Sequence, residues 1–416
     1  MVKCGQRLPQ GFEDLGPDRR ERVEALGTEL ATLFASWGYR RVEPPAIENY
    51  ETFAAGSPSF SADRAYRFLD RDGRLLALRP DITTGVGRMI AQALREDSRA
   101  VSLPLRLRYE GIVFRREPQG SARSHAFEQA GVELIGVAGP DADAEVIGLA
   151  SAAAHLAGLP EVRLLIGHSG LVKGAMQAAG RGSPDVEEQF RAALARRDLV
   201  AVSAMIGSDL ASVLTGGPFD PVAGREALNR LAGAAEAQIA SGARELLALY
   251  DLLDEYATPE PWLEPVLLRD LDYYSGVVFE LLSPAFPEPL AGGGRYDGLL
   301  GKFGAGAPAT GFAVNLTATS QAGPGQVLRP RQRVALAWAD AAARGQALRI
   351  AHRLREQGSV AETLPEAANL TEALAAAASR PVDRLLFVSE SGYREIRVCG
   401  DQPAGQAGLA GVAGIH

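Results

Sequence analysis

Apolar positions recur at three- and four-residue steps through Val23, Leu26, Leu30, Leu33, Phe34 and Trp37. That spacing predicts an amphipathic helix over residues 18–38 with a stop at Gly38. The next stretch, Arg40 to Ile47, reads as a strand interrupted by Pro44 and Pro45. Prolines cannot donate to a ladder, so they point to an edge or an interface. Residues 64–80 alternate around Asp72-Gly73, a hairpin signal. Leu103 to Glu117 and Phe127 to Gly136 read as two strands joined by a long polar, basic loop over Pro118 to His125. A helix is expected over Asp141 to Leu156, with Asp141 as its N-cap after Pro140. Residues 160–260 are Ala-rich and read as helical, with a break near Thr215 to Pro221. Strand patterns return at Leu267 to Leu281 and Gly311 to Leu316.

Beyond about residue 328 the pattern changes to a regular alternation. Strands are expected at Val334–Trp338, Val360–Leu364, Leu385–Ser389 and Glu395–Cys399, with helices at Ala342–Gln357 and Leu370–Ser379. That alternation predicts a small separate α/β domain over 330–405. The run at 406–416, rich in Gly and Ala, is expected to be disordered. No internal repeat is evident.

Composition adds limits more than content. The 416 residues are 46% hydrophobic and 23% charged, ordinary for a globular chain of two or three domains. Mean hydropathy is -0.03, and no apolar run has the length of a membrane span. The N-terminal residues lack the apolar core of a secretion signal, so a cytoplasmic location is expected. Cys4 and Cys399 stand near opposite ends, and the five histidines show no ligand spacing. Neither a disulfide framework nor a metal site is therefore expected. The net charge of -8 argues mildly against a nucleic-acid partner and is silent on protein partners.

Four segments carry the chemistry: Leu78-Arg79-Pro80-Asp81-Ile82-Thr83; Phe114-Arg115-Arg116-Glu117 with Phe127-Glu128-Gln129 and Glu133 after the loop; Arg269-Asp270-Leu271-Asp272-Tyr273-Tyr274-Ser275-Gly276; and Ala291-Gly292-Gly293-Gly294-Arg295-Tyr296-Asp297-Gly298. A buried free amino acid needs a partner for its ammonium, its carboxylate and its side chain. Asp81 and Gln129 suit the ammonium, with Thr83 assisting. The planar fork of Arg269 suits the carboxylate. Glu133 and Tyr274 can bond imidazole nitrogens, and a carboxylate there favours the protonated ring. Plainer roles are open for each. Asp81 could cap a helix beginning near Thr83, Arg269 could form an exposed ion pair, and Glu133 could lie on the solvent face of a strand. Tyr273 and Tyr274, adjacent in a strand, face opposite sides, so at most one is expected to enter a pocket. The triple glycine could be a plain loop, and no following Lys or Ser makes it a P-loop.

In this order and spacing, the four segments resemble class II aminoacyl-tRNA synthetases, and specifically the histidyl-tRNA synthetase family, over residues 1–160 and 260–320. The resemblance implies an α+β fold: an antiparallel sheet flanked by helices in a core over 1–325, a helical insertion at about 170–260, and the small C-terminal domain. It also implies the histidine-binding set Asp81, Thr83, Gln129, Glu133, Arg269, Tyr273 and Tyr274.

The departures are as informative. Arg115, Glu117 and Arg123 match ATP-site positions, but a third loop arginine of the family falls at His125. Where the family reads close to GFAIGLERL, this chain has Gly311-Phe312-Ala313-Val314-Asn315-Leu316-Thr317-Ala318-Thr319. The glutamate and arginine positions are thus Thr317 and Ala318. Removing one partner of a buried charge pair costs about 2–5 kcal/mol. Electrostatic stabilisation dominates phosphoryl-type chemistry, so adenylation is expected to be crippled. Asp270 replaces a glycine, and Asp81 replaces a glutamate one methylene longer. The tail has no lysine and its arginines alternate with acids, unlike an RNA-binding face.

A retained pocket without a retained ATP grip resembles the paralogous family of ATP phosphoribosyltransferase regulatory subunits. That resemblance implies a non-catalytic, allosteric role in histidine biosynthesis with no cofactor. It further implies a short-form catalytic subunit as partner, a self-dimer within a hetero-octamer with contacts from residues 18–47, free histidine as ligand, and neither nucleic acid nor membrane. A histidyl-tRNA synthetase, or another ATP-dependent histidine-activating ligase, is the competing reading, and Ala318 counts against both.

Overall fold

A computed structural model describes residues 8–57, 64–97, 101–117, 123–159, 161–180, 183–256, 258–267, 273–284, 286, 289–322, 332–365, 367 and 369–398. Expectations placed on Arg269 and Asp270, on Cys4 and Cys399, on most of the loop over 118–122 and on the 406–416 tail lie outside these residues. The chain divides into two compact units, Met1–Val327 and Leu328–His416.

The first unit is built on an eight-stranded sheet. In chain order its strands are β1 (Arg40–Arg41), β5 (Leu105–Phe114), β6 (Ala126–Ile135), β7 (Arg163–His168), β8 (Pro261–Leu263), β9 (Val277–Leu282), β10 (Ala291–Arg295) and β11 (Ala309–Asn315). The spatial order is β1-β5-β6-β11-β10-β9-β7-β8. All neighbours from β5 to β7 run antiparallel, and only the outer pairs β1–β5 and β7–β8 are parallel. A small antiparallel sheet of β2 (Ile47–Asn49), β4 (Leu75–Leu78) and β3 (Arg67–Leu69) stands apart. Its hairpin closes at Asp72-Gly73, where the Asp70 carboxylate accepts from the Asp72 and Arg74 backbone N–H groups.

Helix α1 (Pro17–Ser36) buries Val23, Leu26, Leu30 and Phe34 against the sheet. It ends where the spacing predicts. Gly38 takes a φ of 85°, the Tyr39 N–H reaches back to the Phe34 carbonyl and the Gly38 N–H to that of Ala35. This left-handed cap satisfies two orphan carbonyls at a position where a side chain would be strained. The strand expected over 40–47 is two short strands, β1 and β2, divided at the proline pair that cannot donate. Helix α2 (Tyr50–Gly56) and helix α3 (Thr83–Glu96) follow.

Helix α4 spans Pro140–Leu156, and Asp141 is not its N-cap. Gly139 holds the cap position and Pro140 the first turn, where its missing N–H costs nothing, so Asp141 falls inside the helix. The insertion holds α5 (Ser169–Gly180), α6 (Pro184–Ala195), α7 (Leu199–Ile206), α8 (Ser208–Gly216), α9 (Pro221–Ala232) and α10 (Ala237–Leu253). The expected break appears between α8 and α9. The helical reading of 160–260 missed β7, a buried six-residue strand too short for a periodicity to identify.

Successive residues of β6 face opposite ways. Ala130, Val132 and Leu134 join Phe312 and Val314 of β11 in the main core beneath α1 and α4. Gln129, Gly131 and Glu133 face the other side, opposite Asn315, Ala313 and Gly311. The triple glycine is a strand, not a loop: Gly292, Gly293 and Gly294 lie in β10 between β9 and β11.

Arg295 at the end of β10 is buried. Its guanidinium lies 2.9 Å from the Asp143 carboxylate of α4 and also donates to Asp297 and to the Gly139 carbonyl. Burial raises the Asp143 carboxyl to about 6, and the Arg295 charge opposes that rise.

The second unit is a four-stranded sheet in the order β13-β12-β14-β15: β12 (Arg333–Trp338), β13 (Val360–Thr363), β14 (Arg384–Ser389) and β15 (Gly392–Arg397). Helix α12 (Ala341–Glu356) and helix α13 (Leu370–Ala378) belong to separate apolar clusters. Asp340 and Asn369 cap them through their side chains. Among the described residues, no helix is long and apolar enough to cross a membrane.

Replacing Arg295 by Met leaves Asp143 buried without its charge partner. The expected loss is about 3–5 kcal/mol in urea unfolding of the full chain, and a loss under about 1 kcal/mol refutes a structural role for the pair.

Candidate functional site

The site lies on the sheet face opposite α1 and α4, and Glu133 is its centre. This carboxylate is 1% exposed, which rules out the solvent-face reading. Thr83 Oγ1 donates to Oε1 at 2.6 Å, and the Tyr296 hydroxyl donates to Oε2. Tyr109 of β5 comes within 3.4 Å of Thr83 Oγ1. Desolvation raises the Glu133 carboxyl to about 8, against the donation from Thr83 and Tyr296. Such a group sits near the boundary between charged and neutral at physiological pH.

Room for that carboxylate comes from the neighbouring strand. A Cβ at Gly311, directly across from Glu133, would lie 1.9 Å from Oε2. A glycine is the only residue that lets the sheet pass beneath a side chain lying this flat.

Asp81 is also buried, 4% exposed. Its carboxylate accepts from the Thr84 N–H at 2.6 Å and the Thr84 hydroxyl at 3.1 Å, so it does cap the start of α3. Capping and ligand binding are compatible, because two carboxylate oxygens offer about four acceptor sites. Burial pushes the Asp81 carboxyl up; the Thr84 donors and the Arg115 guanidinium hold it down. Gln129 is buried on the same face of β6 as Glu133.

Tyr273 and Tyr274 overturn the expectation that at most one would turn inward. Both are buried in one cluster with Tyr109 and Tyr296. Their rings lie 4.9 Å apart, and Tyr273 meets Tyr296 edge-on at 5.6 Å. The reason is local: β9 begins only at Val277, so the pair sits on an irregular segment free of the strand's alternation. Burial lifts the Tyr109, Tyr273 and Tyr296 hydroxyls well above their ordinary range, so all three remain hydrogen-bond donors.

The residues matched to an ATP site behave differently. The Arg115 guanidinium donates to the Pro80 carbonyl at 2.7 Å and lies over the Phe127 ring. Glu117 stands between Arg64 and Arg123, each 3.8 Å away. His125 accepts at Nε2 from the Glu117 N–H at 3.3 Å, and its Nδ1 lies 2.5 Å from the Tyr66 hydroxyl. At the third motif, the Asn315 side chain caps helix α11 (Leu316–Ala322) by accepting from the Ala318 N–H at 3.1 Å. The Thr317 hydroxyl accepts from the Glu128 N–H at 3.0 Å. Thr317 and Ala318 are both buried and uncharged. Among the described residues, no cluster of three His, Cys, Asp or Glu side chains suits a metal ion.

Sequence reasoning gave no role to Tyr109 or Tyr296. Tyr296 lies in one of the recognised segments, but its bond to Glu133 joins positions 163 residues apart. No local signal marks Tyr109.

An antiparallel sheet of this order, with buried acids and phenols gathered on one face, defines a protein of class II synthetase-like fold. The histidyl-tRNA synthetase family profile matches residues 11–319. The ATP phosphoribosyltransferase regulatory subunit of Moorella thermoacetica is 36% identical, over 90% of this chain and 96% of its own length. That of Desulforamulus reducens is 34% identical, over 94% and 97%. A Bacillus halodurans crystal structure, described as an ATP phosphoribosyltransferase regulatory subunit/histidyl-tRNA synthetase, superposes with a TM-score of 0.76 at 27% identity, covering 92% of this chain and 98% of that one. The histidyl-tRNA synthetase of a Nostoc species shares the fold, with a TM-score of 0.74 at 18% identity. The chain belongs to the histidyl-tRNA synthetase-like family of ATP phosphoribosyltransferase regulatory subunits.

Glu133 gives a pH test. Its folded value is raised above the ordinary 4.5, so its contribution to stability is full below about 4.5 and lost as pH rises through about 8. Urea unfolding at pH 5.5 and pH 9 should show the parent losing more stability over that interval than Glu133→Gln. Equal losses in the two proteins refute the assignment.

Proposed function

We propose that this chain is a non-catalytic histidine sensor that activates a short-form ATP phosphoribosyltransferase catalytic subunit and transmits feedback inhibition by histidine. The observation that carries the reading is a contrast between the amino-acid side of the site and the third motif. The acids, amide and phenols suited to a histidine zwitterion are buried and held together, whereas the third motif carries Thr317 and Ala318 in place of an ionic pair.

In this reading Asp81 and Gln129 receive the ammonium and Thr83 supports them. Arg269 receives the carboxylate, Glu133 and Tyr274 address the imidazole, and Tyr273 closes the wall. A carboxylate near its own midpoint suits an imidazole, because the pair can share one proton between groups of similar affinity. Arg115, Glu117 and Arg123 are remnants of the ATP site. Arg115 is bound to the Pro80 carbonyl and Phe127 and serves as a wall of the pocket.

Regulation then follows from linkage. Histidine can inhibit the complex only if it binds the inhibited state more tightly than the active one. The assembly proposed is a hetero-octamer of this chain's dimers and catalytic subunits in the cytoplasm, without nucleic acid or membrane.

Titration calorimetry should show histidine binding by the full chain or its complex, and Arg269→Ala should weaken it at least about a hundredfold, the scale of a lost buried charge pair. Robust ATP–pyrophosphate exchange with histidine would instead establish a synthetase or ligase and end this reading.

Mixing with the short catalytic subunit should raise phosphoribosyl transfer from its basal level and confer histidine sensitivity. A catalytic subunit fully active and histidine-sensitive alone removes the activating role.

A further inference from the structure

The two pocket tyrosines sit on Tyr273–Gly276, which is tied down from two sides. From the β10 end, the Ser275 N–H donates to the Arg295 carbonyl at 2.8 Å and the Asp297 N–H donates to Ser275 Oγ at 2.9 Å. From the insertion, the Ser169 N–H donates to the Gly276 carbonyl at 2.8 Å, and Lys173 Nζ donates to the Tyr274 carbonyl at 2.8 Å. Both insertion contacts come from the first turns of α5.

Helix α5 is itself keyed to the rest of the insertion. The Gly170 N–H donates to His168 Nδ1, and His168 Nε2 lies 3.2 Å from the Glu245 carboxylate of α10. Gly170 and Gly242 leave no room for a Cβ beside that ring, so α5, α10 and the end of β7 meet at close quarters. Displacing α5 therefore pulls on the backbone carrying Tyr274. The ammonium-to-carbonyl bond is charge-assisted, which makes it the stronger of the two insertion ties.

We propose that Lys173 is a positioning residue of the amino-acid pocket, which conveys the placement of insertion helix α5 to the Tyr273–Gly276 segment and sets ligand affinity without touching the ligand. The inference rests on the histidine-sensor reading for the ligand, and on geometry alone for the positioning.

The test uses the full chain with Lys173→Met, which keeps the side-chain length and removes the donor, and Lys173→Arg, which keeps a cationic donor. Histidine calorimetry and hydrogen exchange of the peptide covering residues 273–279 are read together, with urea unfolding as the control for folding. Lys173→Met should bind histidine about tenfold more weakly and exchange faster in that peptide, with the unfolding midpoint nearly unchanged; Lys173→Arg should come within about twofold of the parent. Unchanged affinity in Lys173→Met, or failure of Lys173→Arg to recover it, overturns the proposal. If the parent binds no histidine, the sensor reading falls and exchange alone decides: faster exchange in Lys173→Met supports the positioning role, and unchanged exchange refutes it.

Discussion

Putting a carboxylate into the middle of a packed sheet is the constraint around which the first unit is arranged. Glu133 cannot be left unsatisfied, since an unpartnered buried charge costs several kcal/mol. Three elements meet that demand. The start of α3 brings Thr83, the segment after β10 brings Tyr296, and β11 contributes a glycine so that the carboxylate has somewhere to lie. Fixing one group thus fixes the relative placement of α3, β10 and β11. Arg295, the neighbour of Tyr296, extends the same logic by joining β10 to α4 through Asp143.

The sheet separates two tasks between its faces. One face is greasy and closed under α1 and α4. The other carries a smaller cluster in which tyrosines replace aliphatics. Phenols fill volume as aliphatic side chains do, yet each keeps a hydroxyl available. That combination makes a wall that is stable when packed and still able to recognise a polar ligand. Charge is placed sparingly there, as acids held by donors instead of as free ions.

The uncharged third motif is held in place by local hydrogen bonds. Asn315 caps α11 and Thr317 accepts from the backbone of β6, so the helix is docked without an ionic pair at these positions. A protein can shed a reaction more easily than a fold, because catalysis depends on a few charges and folding on many contacts. On the sensor reading proposed above, the free energy of binding the amino acid would be directed to a partner.

Much of the fold was legible in the sequence. The period of α1, its stop at Gly38, the Asp72-Gly73 hairpin, the long strands β5 and β6 and the alternation after residue 330 all report local preferences, and local preferences are written in consecutive residues. The acids of the candidate site, Asp81 and Glu133, could be singled out too, because they stand in recognisable segments. Tertiary structure alone decided three things. It showed that Gly292–Gly294 form a central strand, that Tyr273 and Tyr274 turn inward together, and that Tyr296 and Thr83 complete Glu133. The strand and the partners of Glu133 depend on contacts between positions far apart in the chain, and the tyrosine pair depends on where β9 begins, which strand pairing sets. The chain's periodicity states which way a side chain points relative to its neighbours, and only packing determines what it meets there.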